Sequence, residues 1–337
     1  MIRLLLSLLI VSMTVLISSC FKEDELIIPH VPGNYITDTV ALTDSYQYQI
    51  YYNLHDSSVS ASNIRSTWDL GFESSPEGWR VILNTSCFMK SAYLSGQVFG
   101  MPSDTTGAKW LFNPSDGSSD SVAIGKWYTA NGTDTLGINR VLLIDRGVDT
   151  KGNPRGFKQL VVDSLSHGIY YFRMAAYDGS NQQSFSIVKL SDVNHVLFSI
   201  SNPSTIFSEP VNYSWDLLFS QYTTLLYTDA GDPYPYLVTG VLLNPFSVEV
   251  AVDSLSAYDD ITFEKAQSMN FSKQADKIGY DWKIYNFDNG TYKVNSKIIY
   301  VIRDTKGFLY KLRFKDFYKL LNNRLKKGYP SFEYQML

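Results

Sequence analysis

The chain has 337 residues, 45 % hydrophobic against 18 % charged, so it carries enough apolar material for a packed core and is not a solvated disordered polymer. Twenty-nine basic residues against 33 acidic ones leave a net charge of −4, with no basic surplus for nucleic acid or an anionic membrane surface. Four His and two Cys exclude a His/Cys zinc cluster and a disulfide-stapled scaffold, while 24 Tyr and 19 Phe supply rings that stack across strands.

Residues 1–19 read as a signal peptide. Arg3 is a short positive region, and 4–17 is an apolar run broken only by Ser7, Ser12 and Thr14. The run is too short and too early for a spanning helix. It ends in Ser18-Ser19-Cys20, which resembles the bacterial lipobox; by that resemblance Cys20 becomes the first mature residue and carries lipid. The alternative is an ordinary signal peptide with a chance Cys. Phe21-Lys22-Glu23-Asp24-Glu25 resembles the export tag of Bacteroidetes surface lipoproteins, and 20–45 reads as a tether marked by Pro29, Pro32 and Gly33. The second Cys, Cys87, has no partner in the mature chain and reads as a small buried filler.

From about residue 46 the dominant period is two. Strands are predicted over 46–52, 79–83, 139–144, 157–162, 168–176, 194–200, 211–219, 297–303, 308–314 and 331–336. Asn289-Gly290 marks a hairpin turn between 282–285 and 292–294. A short helix is predicted over 314–324, with Phe317, Leu320, Leu321 and Arg324 near one face. Long loops are expected at about 95–135 and 225–275.

An internal echo organises the chain. Thr67-Trp68-Asp69-Leu70-Gly71-Phe72 recurs 147 residues later as Ser214-Trp215-Asp216-Leu217-Leu218-Phe219, and Ser184-Phe185-Ser186-Ile187 recurs at the same offset as Ser331-Phe332-Glu333-Tyr334. The expected fold class is mostly β: two antiparallel β-rich domains, 46–190 and 194–337, with minor helix. Trp68 and Trp215 read as equivalent core residues, each on one strand face with the following Leu and aromatic. Asp69 and Asp216 then point the other way, to solvent or a backbone hydrogen-bond network.

The second half is similar to the HmuY family of Bacteroidetes haem-binding lipoproteins. The matching stretches are 214–219, Tyr300-Val301-Ile302-Arg303-Asp304-Thr305-Lys306-Gly307 with 308–314, and Lys327-Gly328-Tyr329-Pro330-Ser331-Phe332-Glu333-Tyr334. The first half resembles a divergent second copy. The resemblance implies antiparallel β structure, haem iron held between two axial His or Met side chains on loops, an outer-membrane surface location through N-terminal lipid, and a TonB-dependent transporter as partner. After His195 the chain has no His and only Met269 and Met336, so the half that resembles the family best lacks a paired ligand set. Candidate donors elsewhere are Met101, Met174 and His167, with Met89 and His195 also available. Tyr222, Tyr227, Tyr234 and Tyr236 are candidate contacts for a flat or glycan-like ligand.

No nucleophile elbow, HExxH, phosphate loop or carboxylate-rich metal loop is present, so the expectation is a protein that is not an enzyme. The alternatives to a haem carrier are a transporter accessory, an adhesin or structural module, and a glycan-binding module. Six Asp-Ser/Thr-apolar tripeptides, beginning at Asp38, Asp104, Asp120, Asp134, Asp163 and Asp253, resemble the O-glycosylation site used in Bacteroidetes.

Overall fold

Alternation of apolar and polar side chains builds two β-sandwiches in this computed structural model, which describes residues 31–119, 121–131 and 134–337. The signal peptide, Cys20, residues 21–30 of the tether and Asp120 lie outside the described residues.

The first sandwich packs a four-stranded sheet on a seven-stranded one. The small sheet runs β14 (Ser204–Ile206), β13 (His195–Ser199), β4 (Leu70–Glu73), β5 (Val81–Leu83). The large one runs β12 (Gln183–Val188), β11 (Ile169–Ala176), β10 (Phe157–Ser166). There β10 splits its length, pairing its start with β9 (Leu142–Asp145) and its end with β8 (Asp134–Gly137); β6 (Lys90–Tyr93) and β7 (Tyr128–Asn131) complete the sheet. Leu160, Val162, Tyr170, Phe172 and Met174 face inward at period two and meet Leu70 and Phe72, with Phe72 and Phe172 ring centroids 4.9 Å apart.

The second sandwich uses both ends of the chain. Its five-stranded sheet is β1 (Tyr35–Thr39), β22 (Arg324–Met336), β21 (Leu309–Leu321), β20 (Ile299–Arg303), β17 (Glu249–Asp253). Its four-stranded sheet is β16 (Pro233–Leu243), β15 (Leu217–Tyr227), β2 (Tyr48–Asn53), β3 (Ser58–Ile64). Tyr52, Phe219, Phe314 and Phe332 fill the space between them. A hairpin of β18 (Lys283–Asn286) and β19 (Thr291–Val294) closes one end, where Trp282 stacks on Phe314 at 4.0 Å. The outer face of the five-stranded sheet is covered by α1 (Phe263–Gln267), through Ala266 against Ile299 and Val301.

These sheets divide the chain differently from the expected domains 46–190 and 194–337. Residues 32–337 form one compact unit, in which the first sandwich is continuous in sequence and inserted between β3 and β15 of the second. β2 belongs to the second sandwich because its partner is β15, with Tyr52 opposite Leu217. Reciprocally, β13 pairs with β4 of the first, with Phe198 opposite Leu70. Each sequence repeat thus donates its opening strands to the other repeat's sheet.

Four further expectations are corrected. Residues 314–324 form no helix: β21 runs on to Leu321 and turns at Asn322 and Asn323, both at positive φ, into β22. Pairing with the returning strand wins there because Tyr318, Lys319, Leu320 and Leu321 each find a cross-strand partner. The strand expected from 211 starts only at Leu217, since 211–216 is held by turns and side-chain bonds. The span 225–275 is not a loop but the outer part of the β15–β16 hairpin, β17 and α1. Within 95–135, β7 and the start of β8 are strand.

Candidate functional site: a cavity between the sandwiches

The Trp-Asp phrase builds the same local frame twice. The Asp69 amide donates to the Phe198 carbonyl, and the Asp216 amide donates to the Tyr52 carbonyl, both at 2.8 Å. Asn84 Nδ2 donates to the Trp68 carbonyl at 2.8 Å, and Asn244 Nδ2 donates to the Trp215 carbonyl at 2.7 Å. Each aspartate also accepts an amide from the neighbouring strand: Ile200 N–H on Asp69 Oδ2 at 2.7 Å, Leu54 N–H on Asp216 Oδ2 at 2.8 Å. Both carboxylates are buried and serve the backbone network, one of the two settings expected for them.

The indoles themselves lie outside the main cores. Trp215 is buried edge-on against Tyr51 at 4.9 Å, while Trp68 is half-buried and donates to Gln49 Oε1 at 3.2 Å. Both line a cavity of about 190 Å³ between the small sheets of the two sandwiches. Ile82, Leu83 and Leu197 form one wall, and Leu218 and Leu242 the other. A loop from the first sandwich closes it: Ser115 Oγ donates to Asp276 Oδ2, and the Asp116 carbonyl accepts the Ala275 N–H at 2.9 Å. Burial raises the Asp276 pKa.

Charged groups sit at the cavity's edge and are already engaged. Arg80 and Glu73 form a forked pair, with Nη2 to Oε1 at 2.8 Å and Nε to Oε2 at 2.9 Å. Burial works to raise the Glu73 pKa, but the hydrogen bonds and charge of Arg80 outweigh it and hold the carboxyl down at about 2. Glu209 Oε1 accepts the Asn194 N–H at 3.0 Å, and its Oε2 lies 3.7 Å from His195 Nδ1. Tyr51 is pushed well up by burial and by the negative charge of Glu209.

Of the four tyrosines expected as ligand contacts, Tyr222 lines this cavity, beside Trp68 and Trp215, expected only as core residues. Tyr222 is 1 % exposed, whereas Tyr227, Tyr234 and Tyr236 present themselves at the surface of the β15–β16 hairpin. Arg80, Glu209 and Tyr51 had no local signal, since strand pairing across the two repeats brings them to the cavity.

The candidate haem donors do not form a site. Met174 is a core residue of the first sandwich, as is Met89. Met101 is exposed on a loop whose carbonyl accepts from Gln159 Nε2, near the start of β10, whereas His167 sits in the turn that ends β10. Eight residues of strand separate those two places, about 26 Å at the strand rise, so they cannot face one iron. Met269 packs beside α1, and Met336 packs on the second sandwich's core. Met101 and His167 therefore do not supply a bis-ligated haem site, and the packed Met side chains do not join either of them. Among the described residues no group of three or more His, Cys, Asp or Glu side chains could hold a metal ion, and no helix is long and apolar enough to cross a membrane.

A family model described as HmuY protein matches residues 45–334. The chain belongs to the HmuY family. This is a family of generally non-catalytic, haem-binding surface proteins. One match takes in both sandwiches, so the expectation of two tandem HmuY copies, the first divergent, finds no support; a single HmuY unit already contains both Trp-Asp frames. Similar solved structures include apo PinO from Porphyromonas gingivitis, at 10 % identity and TM-score 0.28, covering 90 % of this chain and 97 % of that one. The apo HmuY analogue TFO of Tannerella forsythia has 10 % identity and TM-score 0.26, covering 91 % and 98 %. A putative HmuY-like heme-binding protein from Bacteroides vulgatus has 13 % identity and TM-score 0.17, covering 49 % and 89 %. No curated relative matches the chain.

Proposed function

We propose that the protein is a non-catalytic ligand-binding lipoprotein of the outer-membrane surface, anchored through Cys20 and acting beside a TonB-dependent transporter. The observation that carries this reading is HmuY-family membership over 45–334. The lipobox-like Ser18-Ser19-Cys20 supports the anchor. Haem is the ligand class the family brings. The separation of Met101 from His167, and the packing of Met174, Met269 and Met336, mean that haem taken up by this chain meets at most one of these side chains as an axial ligand. Titration of the mature protein with haem, read by absorption, tests this. The expected complex lacks a low-spin six-coordinate spectrum. A saturable one-to-one low-spin complex abolished by Met269→Ala would overturn that ligation reading, and no haem binding at all would overturn the haem reading.

Tyr227 is exposed on one face of the β15–β16 hairpin, and a second reading, contact with a glycan, is favoured by Tyr234 and Tyr236, exposed two residues apart on the other face. Their rings and hydroxyls suit a surface that stacks on and hydrogen-bonds to sugar. Glycan-array binding that disappears in the double variant Tyr234→Ala, Tyr236→Ala is the expected result; equal binding by that variant would defeat it.

A further inference from the structure

We propose that the cavity between the two sandwiches is a binding site in its own right, for a neutral aromatic molecule of one or two rings, about the size of indole. The cavity measures about 190 Å³. An engineered apolar cavity of roughly 150 Å³ in another protein takes up benzene, and pockets for drug-sized ligands run from about 300 Å³ upward. This space therefore exceeds one small ring and is too small for haem. Its walls come from the two packed sandwiches of one compact unit, and seams between packed layers are a favoured setting for a ligand site. Ile82 and Leu197 face Leu218 and Leu242 across it, and Trp68 and Tyr222 add ring edges and faces that favour an aromatic guest.

The electrostatics select against charge. Arg80 is committed to Glu73, and Glu209 accepts a backbone amide and lies beside His195. A charged ligand would have to break one of these partly buried pairs and leave its partner uncompensated. A neutral ring displaces only water or empty space next to apolar walls. The guest site stands apart from haem binding, which the volume excludes here.

Calorimetric titration of the mature chain with indole tests the proposal. The expected result is saturable one-to-one binding that weakens at least about tenfold when the space is filled by Leu218→Phe or Ala275→Phe, both at cavity-lining positions. Thermal melts report whether each variant folds. If neither does, fluorotryptophan resonances of the wild-type protein decide: indole should shift those of Trp68 and Trp215 and leave Trp110 and Trp127 in place. No saturation with the wild type, unchanged affinity in both folded variants, or shifts confined to the other tryptophans would overturn it. The haem reading stands or falls on its own absorption spectrum and is not touched by these outcomes.

Discussion

Asp69 and Asp216 occupy the same position in the two sandwiches but meet opposite electrostatic surroundings. Asp69 is paired with two guanidinium groups, Arg146 Nε at 3.0 Å and Arg155 Nη2 at 2.9 Å. Among the described residues no such cation pairs with Asp216; it accepts the amides of Leu54 at 2.8 Å and Thr305 at 3.1 Å, and the carboxylate of Asp304 lies nearby. Replacing each by Asn should therefore cost different amounts. Asp69→Asn strands two buried cations and should cost about 3–5 kcal/mol. At about pH 4, where folded Asp216 is still protonated, Asp216→Asn keeps an amide acceptor and should cost about 1–2 kcal/mol, less at neutral pH where it also removes a buried charge. Chemical denaturation of both variants checks the order, and equal losses would count against it.

The same contrast gives a pH dependence. Burial lifts the Asp216 pKa to about 6, partly opposed by the Leu54 and Thr305 amides, against about 3.9 in an unfolded chain. Between those values the unfolded state holds fewer protons, so Asp216 lowers stability as pH rises from about 4 to 6 and adds nothing further above that. Denaturation midpoints across that window should fall less in Asp216→Asn than in the wild type.

Lys283 works in the other direction. Burial depresses its pKa to about 7, opposed by the charge of Asp281. Its Nζ donates to the Thr239 carbonyl and lies over the rings of Trp282, Tyr292 and Phe317. The unfolded lysine titrates near 10.4, so between about pH 7 and 10.4 the unfolded state holds the extra proton and stability rises with pH. Lys283→Met should flatten that rise. A rise of unchanged size in the variant would show that the burial cost is met elsewhere.

Trp215 and Trp68 should differ when truncated, although they are equivalent in sequence. Trp215 is 3 % exposed, and its loss to Ala should cost about 3–5 kcal/mol through lost burial and a cavity. Trp68 is half-buried at the cavity edge and should cost less. Thermal melts of the two variants give the comparison, and a larger loss at Trp68 would contradict the packing.

Cys20→Ala should release the protein from membranes or block its processing. Fractionation of cells carrying the variant measures this, and unchanged membrane retention would refute lipid attachment there.

The Asp-Ser/Thr-apolar tripeptides make the last prediction. Ser254 is exposed, with Leu255 beside it at 96 % exposure, so the site at Asp253 is open to a glycan. Intact-mass measurement on protein from the native host should show added hexose-containing mass, lost in Ser254→Ala; the bare lipoprotein mass would count against every one of these sites.

The sequence by itself determined the β class, the 147-residue echo, the Asn289-Gly290 hairpin turn and the family, because strand alternation, turn chemistry and the Trp-Asp phrase are local. It even contains a second shared turn that the echo alone does not align. Asp149 and Asp304 each open an Asp-Thr-Lys-Gly turn, with Oδ1 accepting the amides two and four residues on. The tertiary structure decided which strand pairs with which. A strand's face is written in its alternation, but its neighbour is not, and β2 and β13 satisfy the same pattern in either sheet. That choice sent 48–64 to the second sandwich, turned 314–324 from a predicted helix into a hairpin, and parted Met101 from His167. It also drew Trp68, Trp215, Tyr222 and His195 to one cavity, because only pairing across the repeats places the two Trp-Asp frames face to face.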